Sequence, residues 1–122
     1  MGFDLRIGLL PIGWLALAAC QLAAPLSVRQ TEEGLVFSVD DASGRERCID
    51  AVYVYPDGPP GAKPLWHVQE VQPKGCVRTV SYGQVPAGFV AAGPAPALQA
   101  GSSYQVAVAG PGFNEVLDFF VK

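Results

Sequence analysis

The sequence predicts an all-β fold: a single small antiparallel β-sandwich of about seven strands. Three observations predict it. Short runs of β-branched and aromatic residues recur, with turn signals about every 8 to 12 residues. Beyond Cys20 no segment carries apolar residues at the spacing of an amphipathic helix. The chain holds 14 glycines and 11 prolines among 122 residues. They fall between the β-rich runs and not in one block, so they read as turns and not as disorder.

The elements follow in order. Residues 21–28 form a tether into the first strand, with Pro25 breaking any helix. Leu35, Phe37 and Val39 alternate with Val36 and Ser38, so the first three share one face. Residues 41–44, Asp-Ala-Ser-Gly, supply turn chemistry. Residues 48–55 make the most β-prone run; both of its faces are apolar, so alternation does not say which points inward. Pro56-Asp57-Gly58 opens a Pro/Gly loop to Pro64. In the strand over residues 65–72, Trp66 and Val68 share one face, His67 and Gln69 the other. Pro73-Lys74-Gly75 turns into a strand over residues 76–82. Residues 83–96 are irregular, with a short strand at Phe89-Val90. Residues 104–109 and 116–121 form a closing hairpin around Gly110-Pro111-Gly112.

One stretch sharpens the sandwich. Leu98-Gln99-Ala100-Gly101-Ser102-Ser103-Tyr104 followed by Val106 and Val108 resembles the tyrosine corner of fibronectin type III and immunoglobulin-like domains. The resemblance implies that the Tyr104 hydroxyl bonds back to the upstream backbone where the chain crosses between sheets. It also offers Trp66 as the core indole. Such folds host unrelated functions, so it says nothing about activity.

The other end of the chain carries an address. Residues 1–6 hold one base, Arg6, and residues 7–19 are apolar apart from glycine and proline. Leu17-Ala18-Ala19-Cys20 closes that run and resembles the lipobox of bacterial lipoprotein signal peptides. The resemblance implies a cleaved signal helix over residues 1–19, diacylglycerol on the Cys20 sulfur, an acylated Cys20 amine, a lipidated tether over residues 20–27 and a sandwich domain over residues 28–122. Each buried methylene contributes about 0.8 kcal/mol, so three acyl chains would hold the protein on a membrane essentially permanently. Gln21, where an aspartate tends to retain such proteins in the inner membrane, favours the periplasmic face of the outer membrane. A retained anchor helix would need about 20 apolar residues. It would have to run across Gln21 and Pro25, with Pro11 already interrupting it.

Removing residues 1–19 leaves one small domain and takes away one acid, Asp4, and one base, Arg6, so the formal charge stays at −3. No basic cluster exists, which argues against nucleic acid. With Cys20 assigned to lipid, Cys48 and Cys76 remain as an even pair in an oxidising compartment, where a disulfide is expected. A redox or metal role has little behind it: there is no CxxC spacing and one histidine.

The residues that could carry chemistry point to surfaces. His67 could in form join a Ser–His–acid set with Ser38 or Ser81, but no nucleophile elbow accompanies it. Glu32-Glu33 and Asp40-Asp41 sit at loop positions, and Asp40, Asp41 and Asp57 lack the spacing of a calcium loop. No phosphate-cradling glycine pattern precedes a helix. No catalytic residue, metal ligand or cofactor is therefore assigned. Tyr55, Trp66, Tyr82 and Phe89, with Asp57 and Lys63 on the intervening loop, form a contact patch if they lie together and exposed. If instead they fill the core, which a small domain requires of its aromatics, no such patch exists. Two functions remain. One is a non-enzymatic envelope lipoprotein that binds or supports a periplasmic protein partner. The other is an immunity or inhibitor protein against a toxin or cell-wall hydrolase, presenting residues 57–63 as its protruding loop.

Overall fold

The computed structural model describes residues 26–40, 46–58 and 61–122. The leader, Cys20 and the turn expected at residues 41–44 lie outside them. These residues form eight strands: β1 (Leu26–Thr31), β2 (Gly34–Val39), β3 (Ala51–Pro56), β4 (Trp66–Glu70), β5 (Thr79–Ser81), β6 (Phe89–Ala91), β7 (Ser103–Gly110) and β8 (Phe113–Phe120). They build two antiparallel sheets, ordered β1-β2-β5 and β6-β4-β3-β7-β8. The expected all-β sandwich is the fold observed.

Its core lies between the sheets. From the smaller sheet come Leu35, Phe37, Val39 and Val80; from the larger come Val52, Val54, Trp66, Val68, Val106, Val108 and Phe119. Phe37 and Phe119 meet edge to face across the interface, ring centroids 5.7 Å apart. Each fully buried valine contributes about 1.5–3 kcal/mol of transfer free energy. The two-faced apolar strand is β3, which pairs with β4 on one side and β7 on the other. Val52 and Val54 point inward with no exposed surface, while Tyr53 and Tyr55 are half-buried on the outer face. Tyrosine can cover a sheet with its ring and keep its hydroxyl in water.

Boundaries differ from the sequence reading where the chain moves between sheets. β3 starts at Ala51, not Cys48, because Ile49 N–H donates to Val77 O (2.7 Å) while Asp50 N–H donates to Ala109 O (2.8 Å). Cys48 and Cys76 are joined by the expected disulfide, just before β3 and β5. β5 shrinks to Thr79–Ser81 for the same reason. β1 starts at Leu26, two residues inside the expected tether, because Leu26 pairs with Val39. The closing hairpin is longer than expected, since Pro111 and Gly112 (φ 81°) make a two-residue connection that lets Gly110 pair with Phe113. At Gly88 (φ 85°) a Cβ would collide with Gln72 O, and the Gly88 carbonyl accepts both Val71 N–H (2.8 Å) and Gln72 N–H (3.0 Å).

The resulting sandwich has two unlike ends. At the bridge end lie Leu26, the disulfide and the β7–β8 turn. At the loop end Pro56 faces Tyr104, Ser103 faces Phe120, and Tyr82 N–H donates to Leu35 O (2.9 Å). There the Gln30 amide grips the backbone of Lys122 twice. It accepts from Lys122 N–H at 2.9 Å and donates to Lys122 O at 3.3 Å.

Candidate functional site

Two tyrosine hydroxyls organise the loop end. Tyr104 accepts a hydrogen bond from Gln99 N–H at 2.8 Å, five residues upstream, the geometry expected from the residue 98–108 stretch. Tyr82 donates to Pro96 O at 2.6 Å, and its ring packs edge to face on Trp66 at 5.0 Å. Together they pin the long connection between β6 and β7. Burial raises the Tyr82 hydroxyl pKa above the ordinary tyrosine value, and the neighbouring Tyr104 raises it further.

This packing dissolves the single aromatic patch. Trp66 is 3% and Phe89 7% exposed, so both belong to the core; each sits at an inward position of its strand. Tyr82 is half-buried against Trp66 and spends its hydroxyl on Pro96. Of the six residues proposed from sequence, Tyr55, Asp57 and Lys63 remain at the surface. Tyr55 is half-buried; Asp57 and Lys63 are exposed on the β3–β4 loop.

What the fold assembles instead is a groove on the outer face of the larger sheet. Its volume is about 460 Å³. One wall is Tyr55 at the end of β3 and the β3–β4 loop with Asp57; the floor is the outward side of β7 and β8, with Gln105, Ala107, Asn114, Val116 and Asp118. Strand alternation puts these five on one face, since Gln105 pairs with Asp118, Ala107 with Val116 and Ala109 with Asn114. The Gln105 side-chain amide donates to Asp118 Oδ1 at 3.1 Å. No lysine or arginine lines the groove among the described residues.

Beside it the same face carries an aromatic stack. Tyr53 lies on Tyr55 (6.2 Å, 13° between planes) and His67 on Tyr53 (4.1 Å, 14°). His67 Nε2 is buried and has no hydrogen-bond partner among the described residues. Sequence reading missed Tyr53, Gln105, Asn114, Val116 and Asp118. The signal was present in the alternation of Asn114, Val116 and Asp118 with Glu115 and Leu117, but which of the two sets faces outward depends on register with β7.

The chemical alternatives separate in space. Ser38 and Ser81 stand on the outer face of the smaller sheet, Ser38 in a 3.4 Å contact with the Thr79 hydroxyl, while His67 is on the opposite side of the sandwich. They cannot form a triad. Asp40 follows β2 at the bridge end and Asp57 follows β3 at the loop end, so those two cannot share a cation. Glu46, Cys48 and Cys76 bring donor atoms close together among the described residues, but the sulfurs are joined to each other. No protein-family model, curated protein or solved structure matches this chain.

Proposed function

We propose that this chain is an exported lipoprotein, anchored through Cys20 on the periplasmic face of the outer membrane, whose immunoglobulin-like sandwich is a non-enzymatic binding or structural module for a periplasmic protein. The observation that carries this reading is Leu17-Ala18-Ala19-Cys20 closing an apolar run. The joined Cys48 and Cys76 support it, since such bridges persist in oxidising compartments and Cys20 is left over. The Tyr104–Gln99 bond supports the kind of sandwich.

An anchor at Cys20 would also orient the module. Leu26 lies at the bridge end, and six peptide units from Cys20 to Leu26 span at most about 22 Å when fully extended. The bridge end therefore faces the membrane, and the loop end, with the β3–β4 loop, points away from it. Binding is supported by the site, whose side chains offer aromatic, amide and carboxylate contacts to a partner.

The test is metabolic labelling with palmitate and membrane fractionation of the wild type and of Cys20→Ala. The wild type is expected to carry label and to sediment with the outer membrane, and the variant to lose both. An unlabelled wild type, or a Cys20→Ala protein that stays in the membrane, overturns the reading.

A further inference from the structure

β8 is the long outer edge of the larger sheet. β7 pairs with one side of it, and no strand among the described residues pairs with the other. The remaining edge strands are managed differently. β5 and β6 have three residues each, and β1 is held against the end of β8 by the Gln30–Lys122 grip. Natural sheets usually blunt a long edge with proline or lysine, and β8, eight residues from Phe113 to Phe120, has neither. It exposes apolar side chains instead: Val116 is 56%, Leu117 36% and Phe120 57% exposed.

We propose that this edge accepts an extended segment of a partner protein as a ninth strand, with a basic side chain lying over Asp118 and an apolar one beside Val116. The proposal rests on the reading of the chain as a binding module and names where and what it binds. Charge selects the occupant. On the outer face of β8, Asp118 borders a groove whose far wall carries Asp57 and which no lysine or arginine lines among the described residues. On the inner face Glu115 already has a cation, Arg47 at 3.6 Å, whose guanidinium also lies 5.3 Å from the Phe113 ring centroid. The unneutralised carboxylates therefore face outward.

Charge also disfavours a second copy of this chain as the occupant. Antiparallel pairing keeps inner faces together only if residues of equal parity meet, so a symmetric β8–β8 pair centres on one residue. Either central register brings two more carboxylates per strand into the edge and no lysine or arginine from β8. A cationic strand instead places opposite charges across the new ladder, while its backbone satisfies the open N–H and C=O groups of β8. Residues alternating basic and apolar on one face fit Asp118 and Val116, which stand two apart.

The test uses the mature protein in uncharged detergent and three labelled ten-residue synthetic peptides. One carries lysine and valine in turn at every second residue, so that both fall on one face, with threonine at the residues between; the second has glutamate for lysine; the third is the lysine peptide N-methylated at alternate residues. Fluorescence anisotropy gives affinity, and amide hydrogen exchange gives location. The lysine peptide is expected to bind and to slow exchange across β8, with both control peptides at least about tenfold weaker. Asp118→Asn should weaken the lysine peptide about threefold, within the range of a cross-strand charge pair. No binding at 1 mM, equal binding of a control peptide, or protection away from β8 overturns the proposal. So does slowed exchange of β8 without peptide in a sample that sediments as a dimer, which assigns the edge to a second copy. Palmitate labelling of the same preparation separates the two readings: labelled protein that ignores the peptide sinks the strand-addition proposal alone, and unlabelled protein that binds it sinks the anchor alone.

Discussion

The two outer faces of this sandwich are built on the same alternation and have opposite chemistry. On the smaller sheet the outward positions are Ser27, Arg29 and Thr31 of β1, Val36 and Ser38 of β2, and Thr79 and Ser81 of β5. Hydroxyls dominate, and they pair with each other, as Ser38 does with Thr79. On the larger sheet the outward positions include Tyr53, Tyr55, His67, Ala107, Val116 and Asp118. A short polar side chain leaves a sheet wet and self-sufficient. A ring or a valine leaves area that water covers poorly, which a partner can bury instead. The difference says which side of the molecule is finished and which is prepared for contact.

That contrast can be broken from the inside first. Phe37 is fully buried and bridges the sheets through Phe119, so Phe37→Ala should cost about 3–5 kcal/mol in urea unfolding and loosen both faces together. If only one face responds, by amide exchange, the sheets do not share one core. The disulfide comes next. It closes a loop of 28 residues by joining the segment just before β3 to the segment just before β5, one from each sheet. Reduction should lower stability by about 3 kcal/mol, with a difference in urea midpoint between reduced and oxidised samples as the readout. Tyr104→Phe should cost about 1–2 kcal/mol, because Gln99 N–H loses its acceptor while the ring still packs on Phe119.

Alkaline pH acts on the neighbouring hydroxyl. The folded state holds the Tyr82 proton more tightly than the unfolded chain does, because its pKa is raised when folded. Stability from this group is therefore complete below the ordinary tyrosine pKa of about 10 and is lost as pH rises through the folded value. The wild type should lose stability above about pH 10 more steeply than Tyr82→Phe in parallel urea titrations. The finest comparison concerns the faces alone. Tyr53→Ser should cost about 1 kcal/mol by removing the ring between Tyr55 and His67, whereas Ser38→Ala should stay within about 0.5 kcal/mol. Equal costs would mean that the aromatic face holds no more contact energy than the hydroxyl one.

Much of the fold was legible because β alternation is a local property. Leu35, Phe37 and Val39 needed only their own strand to reveal a common inner face, and so did Trp66 and Val68. The Cys48–Cys76 pair followed from counting. The Tyr104 bond followed from a contiguous stretch whose partner lies five residues away. The candidate site was less legible, because it depends on pairing between distant strands. Trp66, Phe89 and Tyr82 looked available for contact when judged by type, yet their strands turn the first two inward and Tyr82 onto Pro96. Tyr53 was ambiguous until β3 acquired neighbours on both sides. Asp118 could not be placed beside Gln105 until the β7–β8 register was set by a two-residue turn at Pro111 and Gly112.

The sense in which β1 and β8 run also governs how the domain carries tension. Leu26 sits at the bridge end and Lys122 at the loop end, on strands that point the same way. A pull between these residues slides β1 along β2 and β8 along β7, so every rung of each ladder is strained at once. Strands peeled from one end would yield rung by rung. The domain is thus a shear joint.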